Sequence, residues 1–179
     1  MIVGVGIDIV NIPRIQRILF PLLPTSPVAK APQIRQGASR FLRRILTYAE
    51  LDDFRARFPS AAPLIVTGDD SSRALTDIDS LSIARWVGAR WAFKEAAYKA
   101  LYPVHVLSAR DVSVMRSFGA NRKLPGKPYL VFKEDVVEKV ARHHMHDGVL
   151  DLPTLNAFCS VSHDGEYLVG QVILEIINR

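Results

Sequence analysis

The first ten residues, MIVGVGIDIV, constrain the fold more than any other stretch. They alternate strictly, the pattern of a β-strand whose successive side chains point to opposite faces. Val3, Val5, Ile7 and Ile9 occupy one face, and Gly4, Gly6 and Asp8 the other. The second face carries no side chain before the carboxylate, so another backbone or a ligand can approach it closely. Asp8 then sits near the end of an apolar strand, where a carboxylate is costly unless it is paired or bound to a metal.

A second stretch, RWAFKEAAYKAL (Arg90 to Leu101), is composed of strong helix formers without proline or glycine. Glu95 and Lys99 are spaced i, i+4 on it. As a solvent-exposed pair they would contribute only about 0.2–0.5 kcal/mol. The other reading joins them to Asp8. Two carboxylates from separate elements, with few other ligands, suit Mg²⁺, which keeps several waters and takes phosphate oxygens. A lysine one turn from the glutamate would neutralise charge developing on phosphate.

The rest of the chain predicts an α+β fold, a small antiparallel sheet packed on one long helix. Asn11 is an expected N-cap, with Pro13 in the first turn and Ile12, Ile15 and Leu19 turned inward. Thr47 to Glu50 has capping-box spacing, which predicts a helix restart running to about Phe58. The long helix is expected from about Leu81 to Tyr102. Strands at DVSVMRSF and PYLVFK, a helix at about 134–146, and a final hairpin turning at Asp164-Gly165 follow. The reading is one domain over 1–179, with surface insertions at about 21–37 and 60–80. The first is proline-rich and the second polar and turn-rich.

The net charge is +5, and it is unevenly spread. Up to Thr47 seven lysines and arginines face one acid, Asp8. That suggests an acidic partner. Cys159 is the only cysteine, so no internal disulfide can form, and an intracellular compartment is expected. No apolar run reaches the roughly 18 residues of a membrane span. The strand-like opening leads us to expect no signal peptide ahead of the fold.

The sequence resembles a family. GVGIDIV, RILTYAE, GARWAFKEAAYKAL, GKPYL and SVSHDGEYLVGQVILE occur in the same order in holo-[acyl-carrier-protein] synthases, the small 4′-phosphopantetheinyl transferases. The resemblance spans the chain apart from the two insertions. It implies an α+β fold with a long helix on a small antiparallel sheet, and a homotrimer with coenzyme A between subunits. The implied reaction moves 4′-phosphopantetheine from coenzyme A to a serine of an acyl carrier protein, releasing adenosine 3′,5′-bisphosphate. By motif, Asp8 and Glu95 would hold Mg²⁺ and Lys99 would bind phosphate and protonate the departing one. The serine proton would go to Glu95 or to a metal-bound water.

Further residues carry over by the same resemblance. Arg90 would contact a coenzyme A phosphate, and Lys94 would reach phosphate or solvent. Gly126, Lys127 and Pro128 would lie near the adenine, although the same residues also read as an ordinary hairpin turn. Ser162 and His163 would touch the nucleotide, or simply be surface residues beside a turn. Arg14 and Arg17, extended by Arg43 and Arg44, would meet the acidic recognition helix of the carrier protein, and otherwise form a solvated helix face. Where bacterial members carry a Gly-rich loop after the long helix, this chain has Tyr102 to Val106, YPVHV. The two insertions suggest a eukaryotic member, with cytoplasm and mitochondrion both open.

Competing chemistry is weak. His143, His144 and His146 lack the three- or four-residue spacing of one helix face and read as surface. Ser162 and His163 are neighbours on a strand, point to opposite faces and cannot form a dyad. Trp91 is expected in the core or at a subunit contact rather than on a base. The rival function is a non-enzymatic basic module for RNA or an acidic protein. Its aromatics, however, do not interleave with the basic residues as in single-strand binders.

Overall fold

The computed structural model describes residues 1–20, 36–62, 77–117, 126–144 and 154–177. The two expected insertions therefore lie largely outside the described residues. Ten elements follow in order: β1 (Ile2–Asn11), α1 (Ile12–Leu19), α2 (Gln36–Ile45), α3 (Tyr48–Arg57), α4 (Asp77–Leu101), β2 (Val112–Arg116), β3 (Pro128–Phe132), α5 (Glu134–His144), β4 (Thr154–Asp164) and β5 (Tyr167–Ile177).

The strands form two sheets rather than one. β1, β5 and β4 make a three-stranded sheet in that order, and β2 and β3 pair separately. All pairings are antiparallel. The central strand β5 thus joins the first strand of the chain to its own hairpin partner. α4 crosses one face of the larger sheet. It has buried residues on every side, Ile83, Val87, Phe93, Ala97 and Leu101 among them, as expected of a helix enclosed by the fold.

The register explains the glycines of β1. Gly4, Gly6 and Asp8 pair with Leu174, Val172 and Gly170 of β5, and these residues face α4. A Cβ on Gly4 or Gly6 would collide with the carbonyl oxygens of Ala100 or Ala96, and one on Gly170 would press on Ala92 at 2.9 Å. Glycine against alanine lets the helix lie directly on the sheet, which is the close backbone approach the bare face predicted.

Two hydrophobic clusters flank this seam. One gathers α1, α2, α3 and the first half of α4 around Leu19, Leu42, Phe54 and Trp86. The other packs the second half of α4 against β2, β3, α5 and β5 through Phe93, Leu101, Val114, Val140 and Leu174. Trp86 stands edge-on to Phe54 at 5.4 Å, and Trp91 stacks on Phe41 at 5.6 Å. Both tryptophans are packing residues.

The local signals are realised with a few shifts. The Asn11 side chain accepts from the Arg14 N–H at 3.0 Å. Thr47 and Glu50 complete a capping box at the start of α3. α4 begins at Asp77, earlier than the polar composition suggested; Ser80 is buried and accepts from Gln16 Nε2 at 2.8 Å, which holds that turn to α1. The β4–β5 turn also moves one residue on. Asp164 pairs with Tyr167, so the loop is Gly165-Glu166, with Gly165 at φ 53. A two-residue hairpin needs positive φ at its first loop position, and glycine supplies it there.

Candidate active site

The seam sets the site. With Gly4 at Ala100 and Gly6 at Ala96, the next inward residue of β1 is Asp8, paired with Lys99 and close enough to Glu95 for its charge to act there. Lys99 Nζ donates to Asp8 Oδ1 at 2.8 Å and to the Ile7 carbonyl at 3.0 Å. The Asp8 side chain is 15% exposed and that of Lys99 49%, so one end of the group is sheltered and the other meets solvent. Burial, then the Asp8 charge, push the Glu95 carboxyl above its usual range, and Lys99 opposes them. The two acids therefore feel each other, which is the relation expected of carboxylates that share a cation.

The donor set fits Mg²⁺. It consists of two carboxylates on a strand and a helix, open on one side. Among the described residues no group of three or more His, Cys, Asp or Glu forms a cage for a transition metal. Mg²⁺ is commonly held by one or two carboxylates with waters and phosphate oxygens completing the shell.

Arg90 and Lys94 are elsewhere, and the expectation that they meet coenzyme A or solvent is corrected here. Both lie on the opposite flank of α4, 3% and 4% exposed. Lys94 Nζ donates to Glu50 Oε2 at 2.7 Å and to the carbonyls of Ala109 and Val112 at 2.7 and 2.8 Å. Its three N–H groups are thereby used. Arg90 donates to Asp53 Oδ2 at 2.6 Å and lies over the Trp86 ring, 3.2 Å from its centroid. Burial lowers the Arg90 pKa to about 10. Neither cation has a surface to offer a phosphate.

Glu50 is the residue that sequence reasoning missed. It is fully buried. Besides closing the capping box it accepts from Lys94 and from the Val114 N–H at 3.0 Å. The signal was present in TYAE, where the acid of the box is followed at once by Leu51 on a buried face.

The remaining candidates are scattered around one protomer. Gly126, Lys127 and Pro128 enter β3, with the Lys127 carbonyl accepting from Ser117 N at 3.1 Å. They lead into the smaller sheet, Pro128 pairing with Arg116 of β2, and the turn between the two strands lies outside the described residues. Register separates the other pair. Ser162 aligns with Val169 and Ile9 on the face away from α4, and His163 with Leu168 and Val10 on the face toward it. His163 thus shares the Asp8 face, two strands across, about 10 Å, and two residues along. Both are exposed. Arg14 and Arg17 on α1 and Arg43 and Arg44 on α2 are exposed as expected. His143 and His144 end α5, ring against ring at 4.9 Å, and His146 lies outside the described residues.

Comparison with known proteins shows the family. Residues 4–146 match the 4′-phosphopantetheinyl transferase superfamily. The chain belongs to that superfamily. Among relatives of this phosphopantetheinyl transferase is the mitochondrial 4′-phosphopantetheinyl transferase B of Aspergillus fumigatus, 30% identical over 172 residues, covering 95% of this chain and 92% of the relative. A holo-[acyl-carrier-protein] synthase of Koribacter versatilis is 30% identical over 175 residues, covering 98% and 99%. A holo-(acyl-carrier-protein) synthase of Bacillus anthracis, solved in complex with coenzyme A (3′,5′-ADP), is 25% identical with a TM-score of 0.52, covering 98% of this chain and 97% of that one. The holo-ACP synthase of Plasmodium yoelii shares the fold at TM-score 0.57 and 20% identity, covering 100% and 98%. The expected family and α+β fold both stand.

Proposed function

We propose that this phosphopantetheinyl transferase moves 4′-phosphopantetheine from coenzyme A to a serine hydroxyl of an acyl carrier protein. The observation that carries the reading is the juxtaposition of Asp8, Glu95 and Lys99 at the open end of the glycine seam. The names and the coenzyme A complex of the relatives support it. A non-enzymatic basic module would leave that arrangement without a use, and the family does not favour it.

The bond that forms joins the serine Oγ to the phosphorus bearing pantetheine. The bond that breaks joins that phosphorus to the bridging oxygen of the pyrophosphate, and the electron pair leaves with adenosine 3′,5′-bisphosphate. Such a transfer depends on positioning and charge neutralisation more than on a protein nucleophile. Asp8 and Glu95 would hold Mg²⁺, which when bound offsets phosphate charge. Lys99, half exposed beside Asp8, is placed to turn toward the departing phosphate and to hold or give it a proton. Glu95, on the side of α4 that meets Asp8, would be this chain's carboxylate to take the serine proton.

The working form in this proposal is a homotrimer with coenzyme A between subunits. Two features support it. The sheet face away from α4 is apolar and exposed, with Val5 at 54%, Ile7 at 53%, Ile9 at 62% and Phe158 at 57%. Such a face marks an interaction surface. Ser162 and His163 also lie exposed at the far edge strand of the same sheet, where a neighbouring subunit would reach them. Arg14 and Arg17 would steer the acidic carrier protein. No helix among the described residues is long and apolar enough to cross a membrane, and the relatives include proteins named mitochondrial and bacterial ones.

The test is intact-mass spectrometry of an apo acyl carrier protein incubated with this chain, coenzyme A and Mg²⁺. A gain of one phosphopantetheine that EDTA abolishes is expected. No gain on any of several carrier proteins would refute the reading.

A further inference from the structure

We propose that Glu50 and Lys94 form a positioning pair that sets the angle at which α4 presents Glu95 to Asp8. The inference rests on the transferase reading above and adds to it residues that touch neither substrate nor metal.

The geometry is specific to one helix position. Lys94 and Glu95 are consecutive, so their side chains leave α4 about 100° apart. On the sheet side, the helix is seated by Ala92 against Gly170 and Ala96 against Gly6. On the other side, Lys94 is held at three points: Glu50 at the start of α3, the Ala109 carbonyl in the loop before β2, and the Val112 carbonyl at the head of β2. Glu50 is fixed in turn by the Thr47 and Val114 N–H groups at 2.8 and 3.0 Å. Glu95 lies between these two seats. Rotating α4 to swing Glu95 away from Asp8 would break hydrogen bonds to a buried ammonium and press alanine backbone into glycine.

Stability alone does not call for this pair. A buried ion pair is often no more stabilising than well-packed apolar side chains of the same volume. What it supplies is direction: three acceptors at fixed points accept one ammonium in one place. Partners that orient a metal ligand typically change metal affinity or activity by about 10–100-fold when removed.

The test uses the full chain with Mg²⁺, coenzyme A and an apo carrier protein. Lys94→Met, Glu50→Gln and the double variant remove the charges singly and together. Each is measured for unfolding midpoint, for the Mg²⁺ concentration that half-saturates its thermal stabilisation, and for kcat and KM. We expect the single variants to be destabilised and the double variant to regain part of the loss, the remainder reflecting Arg90, whose Nε lies 3.9 Å from Glu50 Oε1. The double variant should nevertheless keep a kcat at least about 10-fold low and need about 10-fold more Mg²⁺, with KM for coenzyme A within about twofold of wild type. Glu50→Asp keeps the charge and shortens the reach, so it should fold and still lose kcat. Recovery of kcat together with stability in the double variant would reduce the pair to a structural role. A tenfold rise in KM for coenzyme A at unchanged kcat would make Lys94 a substrate contact. Full activity of Glu50→Asp would likewise overturn the proposal. Failure of the transferase reading itself would show in the wild-type chain, as no transfer.

Discussion

Lys99 Nζ lies 2.8 Å from Asp8 Oδ1, 91 positions away in the chain. The pair is half open to water, so its contribution to stability is small, on the order of 1 kcal/mol or less. In the proposed transferase its value is in the reaction. Lys99→Met should lower kcat about 10²–10³-fold, the usual loss of one preorganised charge stabiliser. The unfolding midpoint should stay close to wild type. A large stability loss with little change in kcat would contradict the assignment.

Glu95 is held above its usual range by burial and by Asp8. A divalent cation relieves that repulsion. Mg²⁺ at about 100 times its Kd should therefore stabilise the wild type by about 2.7 kcal/mol, read as a rise in melting temperature without any substrate. Glu95→Gln and Asp8→Asn should abolish the rise. In EDTA, Glu95→Gln should be at least as stable as wild type, because it removes one of two repelling charges.

Gly6 touches the backbone of Ala96. Gly6→Val has no space to occupy unless α4 lifts from the sheet. We expect a loss of about 3 kcal/mol in denaturant unfolding, the upper end of overpacking costs. Activity of the folded fraction should fall as well, because Asp8 is two residues on. Wild-type stability for this variant would mean the seam is looser than described.

Arg14 and Arg17 lie on the exposed face of α1. Charges at the rim of an interface act mainly on association. Arg14→Glu/Arg17→Glu should reduce kcat/KM for the carrier protein at least tenfold at low salt and leave kcat at saturation unchanged. The salt dependence of kcat/KM should flatten, since steering is screened over about 10 Å at 0.1 M. An unchanged profile would remove α1 from the docking surface.

Cys159 is the single thiol, and burial pushes its pKa up to about 11. At pH 8 it should react with iodoacetamide about 100-fold more slowly than a free cysteine, because the thiolate is the nucleophile. The rate should climb roughly tenfold per pH unit until near pH 11. Rapid labelling at pH 8 would show that β4 opens.

Much of this was legible in the sequence, and for physical reasons. Local rules are short-ranged, so the Asn11 cap, the Thr47–Glu50 box and the strands and helices appeared where propensity and period placed them. The bare face of β1 foretold a close backbone neighbour, and the motif order identified the family. The misreadings concern distance in space. Lys94 and Arg90 carry charge beside Glu95 in the sequence, but 100° per residue turns them toward α3 and β2, where Glu50 and Asp53 wait. No period reveals that a charged residue has a buried partner 44 positions away. The division into two sheets was hidden for the same reason, since strand pairing depends on which edges meet.

The strand order has a consequence for biosynthesis. Among the described elements β1 is made before all the others, and its pairing partner, β5, is made last. At roughly 5–20 residues per second, the strand that carries Asp8 waits on the order of 10 s for its neighbour. During that time its apolar face and its unpaired backbone are open to other chains. Until β5 has been made, the strand that carries Asp8 lacks the neighbour it pairs with, and the Asp8 group cannot be in place.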